Sequence, residues 1–341
     1  MNRIRDLIKT LIYLVVPVIL WQSICAAGTV TVTDQAGRQV RVEQPVNRVV
    51  TTFTPATFFA LCADLADILV GASRKDRTAS VYGALIDRDD PPVFVGNRTA
   101  GLSLETIFSL KPDLVIMYGQ KDGVRLADRL TAMGAPAVVI RPESMADMKK
   151  TLDLLGRASG RRDHTDKVIR AMAEVEALVT ERVAAVGRPR VYYAGSQLLS
   201  TVSGAMLQNE MIRIAGGINV SKETSGFFVT VSPEQLMAWN PEVIIASDRL
   251  SREAEARLNT PEFSSLRAVT DRRIFRVPAE TYWDFPSPLA MAGVLWMAGI
   301  LHPDLFPADT VRTETNRLYD TIFGSGFSRR HPRVTGQSPQ K

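Results

Sequence analysis

A chain of 341 residues, 45% of them apolar and 23% charged, is ordinary globular material and long enough to bury two cores. Its formal charge of +5 falls further once a leader carrying Arg3, Arg5, Lys9 and Asp6 is removed, and so mild a balance argues against a nucleic-acid partner. The signatures GxSxG, HExxH, CxxC and the P-loop do not occur, so the sequence presents no assembled catalytic set.

Arg3, Arg5 and Lys9 precede an apolar run from Leu11 to Trp21, and the small residues Cys25, Ala26 and Ala27 follow. This layout predicts a cleavable secretory signal peptide over 1–27. The run is shorter than the roughly 20 apolar residues that a membrane span needs. Ile24 is not the small residue expected before a lipidated Cys25, so cleavage is expected after Ala26 or Ala27. Cys62 is then the remaining cysteine, which excludes an internal disulfide in a chain bound for an oxidising compartment.

Thr29–Thr33 and Arg38–Val42 alternate apolar and polar residues around Asp34-Gln35-Ala36-Gly37, the pattern of a β-hairpin. Arg48-Val49-Val50 starts a buried strand that Thr54-Pro55 ends, a helix follows over Thr57–Ala66, and Ile68–Gly71 and Val93–Gly96 are short apolar strands. Ala137–Ile140 is another. Strands alternating with helical segments predict a parallel, doubly wound sheet.

Asp163 to Val186 then forms the longest helix, with Val168, Met172, Val175, Val179, Val183 and Val186 spaced by three and four until Gly187 and Pro189 stop it. Such a helix spans about 36 Å, enough to join two α/β lobes as a stiff hinge. Beyond it, Arg190–Tyr193, the Gly216-Gly217 turn, Arg273–Val277 and a helix over Leu289–Leu301 repeat the alternation. From Gly324 onward the chain is small, basic and without apolar periodicity, which predicts a disordered tail. The division expected is a signal peptide over 1–27, a first lobe over 28–161, a linking helix over 162–187, a second lobe over 188–323 and the tail over 324–341.

One stretch occurs twice. Leu102–Met117, LSLETIFSLKPDLVIM, returns as Val231–Ala246, VSPEQLMAWNPEVIIA, at a constant offset of 129 (Ser103 to Ser232, Glu105 to Glu234, Pro112 to Pro241). Ser103 and Ser232 suit helix N-caps, Pro233 suits the first helical position, and a glutamate in the first turn suits the helix dipole. Each helix should stop before Pro112 or Pro241, and a buried strand should follow. The two copies therefore mark two equivalent lobes.

Ligands of open α/β sheets bind beyond the carboxyl ends of the strands. Thr54, Arg74, Asn97, Arg98, Tyr118 and Arg141 hold such positions in the first lobe, and Tyr193, Gln197, Asp248, Arg249, Tyr282 and Trp283 in the second. Of these, Arg98, Tyr118, Arg141, Tyr193, Arg249, Tyr282 and Trp283 are the candidate ligand residues, since arginines and aromatics suit a planar or anionic ligand. A solvated loop arginine is the plainer reading of each, and Trp283 with Asp284 could serve as packing plus a cap for a helix over Pro286–Met297. His164, His302 and His331 do not fall at strand ends, which argues against a His-rich site for bare zinc or manganese; no catalytic residue, cofactor or metal site is assigned.

VTVTDQAGRQVRVEQPVNRVV, the first repeat copy, the single long helix, the second repeat copy, PEFSSLRAVTDRRIFRVP and YWDFPSPLAMAGVLWMAGILHPDLF, in this order, resemble the periplasmic substrate-binding proteins of ABC importers for iron chelates, haem and cobalamin. The resemblance spans Thr29 to Phe306. It implies two Rossmann-like lobes bridged by a helix, with a ligand cleft between them and no covalent chemistry. It also implies that one surface glutamate per lobe, Glu105 and Glu234, docks onto arginines of a permease dimer in the inner membrane. Cys62 departs from the pattern by replacing a frequent glycine. The expected function is that of a monomeric periplasmic receptor for a metal chelate, a ferric siderophore or haem. The alternatives are cobalamin or an oxyanion such as molybdate or tungstate, a chelatase-like enzyme on the same architecture, or a signalling receptor without a permease.

Overall fold

The computed structural model describes residues 28–73, 80–86, 89–97 and 101–336, so the expected signal peptide and Arg98 lie outside the described residues. The first lobe opens with an antiparallel hairpin, β1 (Gly28–Thr33) on β2 (Gln39–Gln44). Then come β3 (Val49–Thr51), β4 (Leu69–Ala72), β5 (Val93–Phe94), a minimal hairpin of β6 (Gly96–Asn97) and β7 (Gly101–Leu102), β8 (Leu114–Tyr118) and β9 (Ala137–Ile140). The second lobe contains β10 (Arg190–Ala194), β11 (Ser200–Val202), β12 (Ile218–Asn219), β13 (Phe228–Thr230), β14 (Val243–Ala246) and β15 (Ile274–Arg276).

Both main sheets are parallel, ordered β5-β4-β3-β8-β9 and β12-β10-β14-β15. Strand order reverses between β3 and β8 in the first lobe and between β10 and β14 in the second, and these are the switch points at which such sheets bind ligands. The strands at both points are buried on both faces, as their unbroken apolar runs require.

The duplicated stretch is duplicated in space. Ser103 Oγ accepts the amide of Thr106 and Ser232 Oγ that of Gln235, each at 3.2 Å, capping the short helices Leu104–Ser109 and Pro233–Trp239. Lys111 (φ 45°) and Asn240 (φ 40°), equivalent at the same offset, both turn left-handed before their prolines. Asp113 then accepts the amides of Asn47 and Arg48 at 2.8 and 3.0 Å, and Glu242 accepts the amide of Arg190 at 2.8 Å. Arg48 donates to Leu110 O and Arg190 to Trp239 O, both at 2.8 Å. Val49 consequently pairs with Leu114, and Val191 with Val243, in one register.

The linking helix runs Arg162–Val183 and buries Val168, Met172, Val175, Val179 and Val183 on one seam; Val186 lies outside it and is exposed. The seam packs against the first-lobe helix Met145–Ser159 and the second-lobe helices Ala290–Leu301 and Ala308–Phe323. Each of these buried side chains contributes roughly 1.5–3 kcal/mol. One continuous cluster of buried residues extends from Val32 through the seam to Val334, so the apolar interior crosses from lobe to lobe.

Two expectations are corrected. The helix placed at Thr57–Ala66 is Thr54–Cys62, because Pro55 fits its first turn and Asp64 turns left-handed (φ 60°) just after its end. The tail is not disordered over 324–336. Phe327 packs on Tyr319, Phe323 and His331, Val334 is buried, and Gly336 lies against the Trp283 ring. A short apolar set with no period of its own is held by rings of the preceding helix and by Trp283, which is distant in the chain. Residues 337–341 lie outside the described residues.

Candidate functional site

The carboxyl ends of both sheets converge. Phe58, in the helix that follows β3, meets Tyr282, in the loop that follows β15, with ring centroids 4.8 Å apart. A second contact joins the lobes, where Glu210 of helix Leu207–Ile214 accepts the amide of Met145 at 2.9 Å. The two lobes are thus joined by packed aromatic rings, with Phe58 fully buried, and by a hydrogen bond.

On the first-lobe wall, Tyr118 closes β8 and its hydroxyl donates to Glu143 Oε1 at 3.1 Å. Gln120 donates to the same oxygen at 3.2 Å, and the Phe53 ring lies 5.0 Å from that of Tyr118. Arg141 follows β9 and is exposed; its amide donates to Gln35, and its side chain lies over Gly119 so closely that a Cβ there would sit 2.6 Å from Nε. It borders a shallow cavity of about 560 Å³ that also touches Gln35, Glu143, Lys150 and Arg157.

On the second-lobe wall, Arg249 is exposed and its guanidinium stands 4.5 Å above the Phe285 ring, a cation–π stack. Phe285 meets Tyr282 edge-on at 5.6 Å, and Tyr282 holds a left-handed backbone (φ 55°) that turns its ring toward Phe58. Arg276 keeps the Arg249 loop in place by donating to the carbonyls of Ser247 and Leu250 at 3.0 and 2.7 Å while pairing with Glu255.

Beneath this surface lies a buried polar network. The Tyr193 hydroxyl and Ser247 Oγ both donate to Asp284 Oδ2. Burial, and then the negative charge of Asp284, push the Tyr193 phenol well up, so it remains a donor. Burial and the same charge raise the carboxyl of neighbouring Asp248, with Arg249 and Arg276 partly offsetting them.

Of the candidates, Tyr118 ends β8 and is 7% exposed with its hydroxyl on Glu143, Arg249 and Tyr282 gather on Phe285 beyond the carboxyl ends of the second-lobe strands, and Arg141 is exposed beyond β9. Two candidates need correction. Tyr193 is 2% exposed and its hydroxyl is taken by Asp284; Trp283 is 3% exposed and its Nε1 donates to Tyr319 at 3.0 Å. Both are interior groups with satisfied polar atoms, without a face for a ligand. Asp284 is not the cap of the following helix either, which is Ala290–Leu301 and carries no side-chain cap. Phe53, Glu143 and Phe285 were missed, although Phe53 and Glu143 follow strand ends as the chosen residues do. Among the described residues, no group of three or more His, Cys, Asp or Glu side chains could hold a metal ion.

Glu105 and Glu234 are both exposed in the first turns of the paired short helices. The carboxyl of Glu234 is held below the usual carboxylate range by its own backbone amide and by Ser232, so it stays ionised.

Comparison with known proteins gives concordant matches. The family model described as periplasmic binding protein matches residues 49–281. The molybdate-binding protein MolA of Haemophilus influenzae is 24% identical over 325 residues, covering 87% of this chain and 91% of that protein. A vitamin B12-binding protein of Yersinia pestis is 27% identical over 210 residues, covering 61% of this chain and 72% of the relative. The crystal structure of a periplasmic solute binding protein from Veillonella parvula superposes with a TM-score of 0.77 at 24% identity, covering 90% of this chain and 97% of the other.

Proposed function

Because this chain belongs to the periplasmic binding protein family, whose members bind solutes for transport and are not enzymes, we propose that it captures a metal chelate, a ferric siderophore or haem, and delivers it to an ABC permease dimer in the inner membrane. The reading includes a cleavable leader over 1–27 and a monomeric mature chain in the periplasm.

The observation that carries the choice of ligand is the unlike pair of walls. Arg249 stacked on Phe285 beside Tyr282 offers a flat cationic and aromatic surface. The half-buried Glu143, held by Tyr118 and Gln120, offers a carboxylate in the first lobe. A chelate presents donors, acceptors and planes together, which suits walls of such mixed character. Titration of the purified protein with haem and with ferric siderophores, followed by absorption, should give a saturable complex with one of them. Arg249→Ala or Tyr282→Ala should weaken that complex by at least about tenfold. Silence with every chelate would overturn the reading.

A second reading, a receptor for molybdate, tungstate or cobalamin, draws on the printed specificities of the Haemophilus and Yersinia relatives. Calorimetric titration with these solutes separates it from the first. Under either reading Glu105 and Glu234 dock on permease arginines. The double variant Glu105→Lys/Glu234→Lys should bind ligand as before and lose uptake, since reversed charges oppose the partner's; undiminished uptake would sink the assignment.

A further inference from the structure

We infer that Glu210 is a positioning residue: reaching from the second lobe, its carboxylate holds the first-lobe loop 141–145 and so fixes the spacing of the two lobes. That role does not depend on which solute is carried. Helix Met145–Ser159 begins at the end of this loop, and the amide of Met145 is among those that no residue of the helix itself can satisfy. Ser144 caps a different amide, that of Asp147, at 3.1 Å. The Met145 amide goes instead to Glu210 Oε2 at 2.9 Å, across the lobe boundary. A carboxylate placed there gains from the helix dipole as well as from the hydrogen bond.

Both ends of the bond are firmly held. Glu210 stands on helix Leu207–Ile214, which buries Leu207, Gln208, Met211, Ile212 and Ile214 and packs on helix Ala290–Leu301. Its other oxygen lies 3.9 Å from the exposed guanidinium of Arg213, a much looser contact than the one to Met145. On the first-lobe side Met145 is buried, and Glu143 accepts the hydroxyl of Tyr118 and the side-chain amide of Gln120. The amide of Arg141 donates to Gln35 at 2.6 Å. A fixed helix therefore grips a loop that is itself fixed.

The same helix reaches the second-lobe surface. Gln208, two residues before Glu210, donates to Asp284 O at 2.8 Å, inside the segment that carries Tyr282 and Phe285. One helix of eight residues is thus bonded both to the segment bearing the Arg249–Phe285 stack and to the loop bearing Glu143. The separation of these two candidate surfaces is set through Gln208 and Glu210. Loss of one charge-assisted hydrogen bond shifts an equilibrium between two lobe spacings by at least about tenfold. The Phe58–Tyr282 ring contact remains in such a variant, so the lobes loosen without coming apart.

The test reads lobe spacing in the mature chain by double electron–electron resonance, with one spin label per lobe attached through Arg125→Cys and Ser265→Cys, both exposed and outside either candidate surface. Cys62 is fully buried, and burial pushes its thiol up, so it is not labelled. Glu210→Ala should shift or broaden the distance distribution by more than about 2 Å. Glu210→Asp, one methylene too short to reach Met145, should do the same. Glu210→Gln, whose amide oxygen can accept the same hydrogen bond, should keep the parent's distribution. A Glu210→Ala distribution identical with the parent's overturns the proposal even where the melting temperature falls, because Glu210 then only stabilises. A Glu210→Gln chain as loose as Glu210→Ala overturns it too, since the bond to Met145 is then not what sets the spacing. Circular dichroism checks that each variant is folded; if Glu210→Ala does not fold, Glu210→Asp decides by the same reading.

Discussion

At the amino ends of their central strands the two lobes use the same parts. Asp113 and Glu242 accept backbone amides from the adjacent strand, and Arg48 and Arg190 cover the carbonyls that end the preceding short helices. At the carboxyl ends the parts no longer correspond. Thr51, buried in the first lobe against Thr57 at 2.8 Å, occupies the register position that in the second lobe holds Tyr193, bonded to Asp284. The joint that sets strand spacing has been retained in both lobes, and the parts at the carboxyl ends have been rebuilt separately in each.

The contrast can be broken most decisively at Asp284, which has no counterpart in the first lobe. Asp284→Ala leaves Tyr193 and Ser247 without their acceptor in a buried site, and should lower the unfolding free energy by about 2–4 kcal/mol in urea titrations. Unchanged stability would show that the second-lobe surface needs no such tie. Gly336→Ala probes a support peculiar to the second lobe. Its backbone is left-handed (φ 69°) and a Cβ would lie 2.5 Å from the Trp283 ring, so a loss of about 1–3 kcal/mol is expected in the same assay.

Asp113→Ala and Glu242→Ala sharpen the shared half. Each removes an acceptor from the equivalent joint, and each should cost about 1 kcal/mol; a cost at one site only would mean that the duplication no longer bears equally on stability. The smallest effect is expected at Asp248. Burial and Asp284 raise its carboxyl pKa, so the folded chain holds this proton more tightly than the unfolded chain, and stability is lost as pH rises through that window. Asp248→Asn should therefore be slightly more stable than the parent near neutrality, with the advantage fading as pH falls toward the ordinary carboxyl range. Urea midpoints across that range check the sign.

Much of the architecture was legible because its causes are local. Serine caps, prolines that stop helices, all-apolar strands and a seam spaced by three and four each act within a few residues. The candidate site was less legible, because position after a strand does not say which way a side chain turns. Tyr193 sits in a strand covered on both faces, so its ring was bound for the interior either way. Trp283 turns toward Tyr319 while its neighbour Tyr282 turns toward Phe58, a choice made by a left-handed backbone that no glycine announces. The segment 324–336 was misread for a related reason, since what holds it is Tyr319 and Phe323 against Phe327 and Trp283 against Gly336.

The buried cluster that runs from Val32 through the linking-helix seam to Val334 has a thermodynamic consequence. Neither lobe can melt without uncovering apolar surface of the other, so heating should produce one calorimetric transition in place of two. Any solute held in the cleft then stabilises the whole chain, by an amount that grows with the logarithm of its concentration. A shift of a single melting temperature becomes a faithful gauge of occupancy, and a panel of chelates, oxyanions and corrinoids can be ranked on the unlabelled protein by heat alone.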